Sequence, residues 1–196
     1  MRITLVAHGL TLGSRRGIFG DHTDLLPGAP LPHLPTHHTG LILSGPEPAC
    51  RRTAEMLQGS VRIDDDLRGP DAGEWSGMSL DEVAADPASL QQLRTWIGSP
   101  SAAPPGGESL TGHLDRISSV LDSDQWPDSG AVIVASSSTV RAACVYAMDA
   151  PAQSLTRLDV APGSYATITR RPGGPWHLRA IVPPSRSERH TTESTE

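Results

Sequence analysis

The chain has 196 residues, 37% of them apolar, which suits one domain around one sizeable core, and its formal charge is -6. That balance excludes the broad basic field by which proteins hold nucleic acid or anionic membrane, so an anionic ligand has to be held locally. The opening apolar run, Met1 to Ala7, meets a polar, Gly-rich loop too early for a signal peptide or a membrane span of ~20 residues, so a soluble, cytoplasmic protein is expected.

In chain order, Ile3 to Ala7 is aliphatic and β-branched without polar alternation, the pattern of a strand covered on both faces. Residues 9 to 39 carry too many Gly and Pro for a long helix and read as an irregular segment. Leu41 to Ser44 predicts a second buried strand, 47 to 58 a helix, and Val61 to Ile63 a weaker strand. Leu67 to Met78 reads as a loop, and Ser79 with Glu82 has the spacing of a capping box that starts the next helix. Leu90, Leu93 and Ile97 place an apolar face on a helix over 87–97. Leu110, Leu114, Ile117 and Leu121 do the same over 109–121. Gly130 to Ala135 is the strongest buried strand, and 139–148 follows as helix. Runs at 155–160, 165–170 and 176–182 are strand-like, the last two joined by a Pro/Gly turn as antiparallel edge ribbons. The expected domain covers 1–182, and 183–196, with nothing to bury, reads as a disordered tail. Cys50 and Cys144 fall in predicted helices without a paired-cysteine motif, so packed, reduced thiols are expected.

Alternating strands and helices imply a three-layer α/β/α sandwich with a mostly parallel sheet. Ligands of such sheets sit beyond the carboxyl ends of the strands. Three strand ends then deliver His8-Gly9, Ser44-Gly45 and Ser136-Ser137-Ser138-Thr139. A strand-end imidazole can act as nucleophile, general base or ligand, while its plain alternative is a half-buried histidine bonded to the loop. The serines can bind an anion at a helix start or simply cap that helix.

Ala7-His8-Gly9-Leu10-Thr11 resembles the RHGxT opening of the histidine phosphatase (phosphoglycerate mutase-like) superfamily. Residues 44–55 resemble its SSPLxRAxxTAE segment, 67–77 its LxExxxGxWEG segment, 106–110 its GGESL helix start and 132–141 its VLVVSHGGVIR segment. Five blocks in one register are far more specific than any one of them. The resemblance implies a phosphohistidine enzyme in which two arginines and a second histidine clamp the phosphoryl group and a glutamate donates a proton, without metal or organic cofactor.

Matched residue by residue, the resemblance keeps the nucleophile at His8 and sets Ala7 and Ala49 against the two arginines, Gly69 against the glutamate and Ser136 against the second histidine. Phosphoryl transfer depends on positioned charge, and one missing donor costs ~3 kcal/mol, so weak phosphatase turnover is expected. The candidate site is His8 with Asp71 as proton donor, and Thr11, Arg16, Ser44, Arg52, Arg68, Ser136 and Ser137 as ligand-binding groups. Arg51 should point away on its helix, Arg15 and Arg141 are further arginines that could rebuild the clamp, with solvated surface arginines as the plain alternative, Glu74 is a second acid candidate, and Glu108 reads as a helix cap. Three functions follow, in this order: a divergent enzyme using His8 on a small, anionic ligand; a non-catalytic pseudophosphatase; and a phosphomonoesterase with a rebuilt arginine clamp. His33, His37 and His38, with His22, Asp21 and Asp24, invite a metal reading, but Pro35 breaks the helix that would align them, and solvated loop histidines are expected.

Overall fold

The computed structural model describes residues 1–29, 40–124 and 126–184. Six strands form one sheet: β1 (Arg2–Ala7), β2 (Leu41–Ser44), β3 (Ser60–Ile63), β4 (Ala131–Ala135), β5 (Tyr165–Arg170) and β6 (Trp176–Val182), in the order β3-β2-β4-β1-β5-β6. The pairs among β1, β2, β3 and β4 are parallel, while β5 and β6 run antiparallel at one edge. The central strands carry apolar side chains on both faces because both faces are covered. Ile3, Leu5, Ile133 and Leu43 turn to a core shared with Ile117, Leu121 and Val140, and Val6, Ile42, Val132 and Val134 turn to one shared with Cys50 and Ala54.

Among the described residues, six α-helices complete the layers: α1 (Leu12–Arg16), α2 (Pro48–Glu55), α3 (Leu80–Ala85), α4 (Pro87–Gly98), α5 (Leu110–Asp122) and α6 (Ser137–Ala147). The second core cluster lies under α2; α5 and α6 cover the opposite face. A third cluster, Trp75, Val83 and Leu93, packs with Phe19 and Trp96, whose rings meet edge to face at 5.6 Å.

The capping box at Ser79 forms as expected: its hydroxyl accepts from Glu82 N–H and the Glu82 carboxylate accepts from Ser79 N–H at 2.7 Å. Three expectations change. The run 155–160 is not a strand; it enters a 3-10 turn, Ala152–Thr156, that packs on α5 and α6. Both sides of β1 are taken by β4 and β5, and the sheet edges by β3 and β6, so buried Leu155 and Val160 serve as cover rather than as a ladder. Ile97 is 60% exposed, so α4 buries mainly Leu93. The irregular first segment does contain one short helix, α1, capped by Thr11 and ended by Gly17 at φ 65°. Cys50 and Cys144 are free and buried. His33, His37 and His38, and the tail from residue 185, lie outside the described residues. No helix among the described residues is long and apolar enough to cross a membrane.

Candidate functional site

Parallel pairing aligns Ala7 with Ala135 and Ser44 with Val134, so the chain leaves three adjacent strands at one level. His8 stands one residue past β1. Its N–H donates to the Ala135 carbonyl at 3.0 Å and its own carbonyl accepts from Gly163 N–H at 3.0 Å, which fixes the backbone on both sides. The residue is 8% exposed, and its Nδ1 lies 2.7 Å from the Gly9 carbonyl oxygen. A carbonyl only accepts, so Nδ1 carries the proton and, in the neutral ring, the lone pair is left on Nε2.

A cavity of about 720 Å³ opens beside His8. The amino end of α6 lines it with Ser136, Ser137 and Ser138; Ser136 caps the helix by accepting from Thr139 N–H at 3.1 Å. One turn on, Arg141 also reaches the cavity, with Nη1 donating to the Leu155 carbonyl at 3.2 Å and its buried Nε without a partner. Burial lowers the Arg141 pKa and nearby Asp159 opposes that shift.

Glu47 enters from the turn after β2. Its Oε1 accepts from Gly69 N–H at 2.6 Å, while Oε2 is buried without a hydrogen-bond partner. A Cβ at Gly69 would lie 3.5 Å from Glu47 Oε1 and 3.4 Å from Ser136 Oγ, so the carboxylate occupies the space that a side chain at position 69 would enter. The Cys50 thiol lies beside it, and burial together with the charge of Glu47 pushes its pKa well up.

Arg116, on α5, does not line the cavity but holds residues that do. It donates to the carbonyls of Asp66 (2.6 Å), Arg68 (3.1 Å) and Gly69 (3.2 Å) and to Glu108 Oε2 (2.6 Å), and its Nη2 lies 2.9 Å from His113 Nδ1, which is itself 3.6 Å from Glu108 Oε2. Burial works against the charge on Glu108, but the His113 and Arg116 contacts outweigh it and hold its pKa at about 2. Similarly, burial of Asp21 is outweighed by hydrogen bonds from the Thr11 and Thr23 hydroxyls and the Thr23 and Ser14 backbone N–H groups, and its pKa is lowered.

Of the residues singled out from sequence, His8, Arg68, Asp71, Ser136 and Ser137 line this cavity. Thr11, Arg16, Ser44 and Arg52 are not among its lining. Thr11 is buried as the α1 cap, bonded to Asp21; Ser44 is buried and donates to the Gly45 carbonyl at 2.8 Å. Arg16 is exposed at the end of α1, and exposed Arg52 pairs with Glu55 at 3.4 Å. Arg68 is half-exposed, its Nη1 3.2 Å from the Asp65 carbonyl. Asp71 is exposed, its Oδ1 accepting from Gly73 N–H at 2.9 Å in a turn. Glu108 contributes a partly buried ion pair rather than a helix cap; Ser109 caps α5.

Glu47 and His113 join the lining without having been singled out as site groups, and Arg141, weighed as one of the arginines that could rebuild the clamp, lines it too. The strand-end rule that selected Ser44 reaches Glu47 three residues later. For His113 the only signal is an imidazole beside the apolar stripe of α5, and its role depends on Arg116 one turn away.

The family model described as histidine phosphatase superfamily (branch 1) matches residues 30–182. Among solved structures, the chain is similar to a mycobacterial glucosyl-3-phosphoglycerate phosphatase, with TM-score 0.71 and 22% identity over 94% of this chain and 99% of that one. The alpha-ribazole phosphatase of Shigella flexneri aligns with TM-score 0.73 and 18% identity over 95% and 98% of the two chains. At these identities the likeness concerns the fold. A 64-residue stretch is 39% identical to a bifunctional protein of Mycobacterium tuberculosis, covering 33% of this chain and 17% of that relative.

Proposed function

Since the chain belongs to branch 1 of the histidine phosphatase superfamily, we propose that it is a divergent member in which His8 acts on a small molecule in a remodelled cavity, with little ordinary phosphomonoesterase turnover. The observation that carries this reading is the His8 imidazole itself: Nδ1 is anchored to the Gly9 carbonyl, so Nε2 is the basic nitrogen at the cavity. The weak turnover follows from what surrounds it. Ala7 and Ala49, matched to the two clamping arginines, are buried methyl groups. The arginines that line the cavity, Arg68 and Arg141, each spend a donor on a backbone carbonyl. Each missing charge-stabilising donor costs about 3 kcal/mol of barrier, or 10²–10³ in rate. The Glu47 carboxylate, facing Gly69 and Ser136, is better sited than exposed Asp71 to exchange a proton with a ligand.

The test combines a phosphomonoester panel with a metabolite screen by thermal shift on wild-type and His8→Ala protein. Little or no turnover on the panel, and a metabolite that wild type converts and His8→Ala does not, is the expected result. Turnover of generic phosphomonoesters at rates normal for phosphatases, lost in His8→Ala, would overturn the divergent reading in favour of a rebuilt clamp. Ligands bound equally by both proteins and left unchanged would instead favour a pseudophosphatase, a reading supported by the unpartnered polar atoms around the cavity.

A further inference from the structure

The charge left around the cavity is negative. Among the described residues its lining holds four carboxylates, Asp21, Glu47, Asp71 and Glu108, and two arginines, Arg68 and Arg141. Several of these charges are met from outside the lining. Arg116 matches Glu108 at 2.6 Å, Asp66 lies 3.7 Å from Arg68, and the charge of Asp159 acts on Arg141. Asp21 is bonded to hydroxyls and amides of its own loop, and Asp71 is exposed to water. Glu47 has neither kind of relief. Its Oε1 accepts from Gly69 N–H, its Oε2 is buried with no partner, and none of the ion pairs among the described residues includes it. The Cys50 thiol beside it is a weak donor and, with its pKa pushed up, brings no positive charge. The amino end of α6 offsets about half a charge.

The groups around Gly69 accept hydrogen bonds and have none to give. Thr139 Oγ1 donates its proton to the Arg68 carbonyl at 3.1 Å, so in the 3.0 Å contact between the two hydroxyls Ser136 is the donor. Ser136 Oγ also accepts from Thr139 N–H, which leaves one of its two lone pairs open. A Cβ at Gly69 would lie 3.5 Å from Glu47 Oε1 and 3.4 Å from Ser136 Oγ, so one atom fits between them, within hydrogen-bond reach of both. An ammonium has three donors and no acceptor, and it would cancel the carboxylate's charge as well as fill the open lone pairs. We propose that the cavity takes an organic cation, a small molecule with a protonated amine whose ammonium sits at Gly69 between Glu47 Oε1 and Ser136 Oγ. Phe19 and Trp96 line the same cavity, and aromatic faces attract cations while giving the body of the ligand apolar surface. The inference rests on reading the cavity as the small-molecule site of His8 and adds the charge of that molecule.

The experiment uses full-length His8→Ala protein, so that chemistry at His8 plays no part. Benzylamine, benzyl alcohol and benzoate share an aromatic body and differ in charge, and each is titrated by calorimetry. Benzylamine should bind most tightly. Its affinity should fall about tenfold or more in Glu47→Gln, which keeps an acceptor for Gly69 N–H and removes the charge. Glu47→Asp, which keeps the charge, should retain more affinity than Glu47→Gln. Gly69→Ala puts a methyl group where the ammonium sits and should weaken benzylamine more than benzyl alcohol, and the contacts of that methyl group are ordinary ones that the fold accommodates. Glu55→Gln, an exposed acid on α2, should change nothing. Tighter binding of benzoate than of benzylamine, equal binding of benzylamine and benzyl alcohol, no binding of benzylamine at millimolar concentration, or unchanged affinity in folded Glu47→Gln or Gly69→Ala protein overturns the proposal. A failure of His8 chemistry would show in the turnover assay and leave these titrations intact.

Discussion

Arg116 is the side chain on which the most local order depends. It is 12% exposed, and it ties the 66–69 loop to α5 through three carbonyls while neutralising Glu108, itself 16% exposed. Removing one partner of this partly buried pair leaves Glu108 and the loop carbonyls without their donor, so Arg116→Met should destabilise the fold by about 1–3 kcal/mol, read as a lower urea midpoint. The pH dependence has a definite sign. The folded pKa of Glu108, about 2, lies below its ordinary value of 4.5. Its stabilisation is therefore complete above pH 4.5 and is lost as pH falls from there towards 2. Melting temperatures of Glu108→Gln between pH 2 and 6 should fall less steeply towards acid than those of wild type. Some slope should remain, since Asp21 and Asp86 are also lowered. None of this was legible in the sequence, where Glu108 looked like a cap: the contacts join Arg116 on α5 to a loop about fifty positions upstream. His8 was legible, because a strand's end can be read from its composition.

At the scale of elements, periodicity and capping chemistry predicted what they physically control. Ser79→Ala removes a hydroxyl that satisfies a first-turn N–H of α3 and should cost about 1 kcal/mol by denaturant titration. Glycine spacing marked 67–78 as a loop, and the structure supplies the reason at Gly73. Its φ is 53°, and an added Cβ would come 2.1 Å from the Pro105 carbonyl oxygen and 2.5 Å from Gly107 N. Gly73→Ala should therefore cost at least 1–3 kcal/mol and separate the two loops that carry Asp71 and Glu108, seen as a lowered thermal midpoint. The run 155–160 was misread because its β-like composition reports burial, and burial under α5 and α6 needs no ladder partner. The start of α6 was placed two residues late for a similar reason: hydroxyl-rich Ser137 and Ser138 look like a loop until Ser136 is seen to cap them into the helix.

At the scale of the whole molecule, the sheet is held together around its first strand. β1 is hydrogen-bonded to β4 on one side and β5 on the other, and Gly163, just ahead of β5, donates to the carbonyl of His8. A chain ending at residue 162 would lose β5, β6 and that contact, leaving one edge of β1 open. It should lose the cooperative thermal transition and scatter light on warming. The same placement of β1 governs the order in which the molecule can assemble. Ile3 must find Ala131 and Ile168, so the earliest of these six strands in the chain waits for two of the later ones before it is paired. Loop closure over such separations is slow, and the aliphatic stretch from Ile3 to Val6 stays exposed while most of the chain is still being made. The residue just beyond that stretch is His8, so its backbone surroundings are complete only once Ala135 and Gly163, well over a hundred residues downstream, are in place.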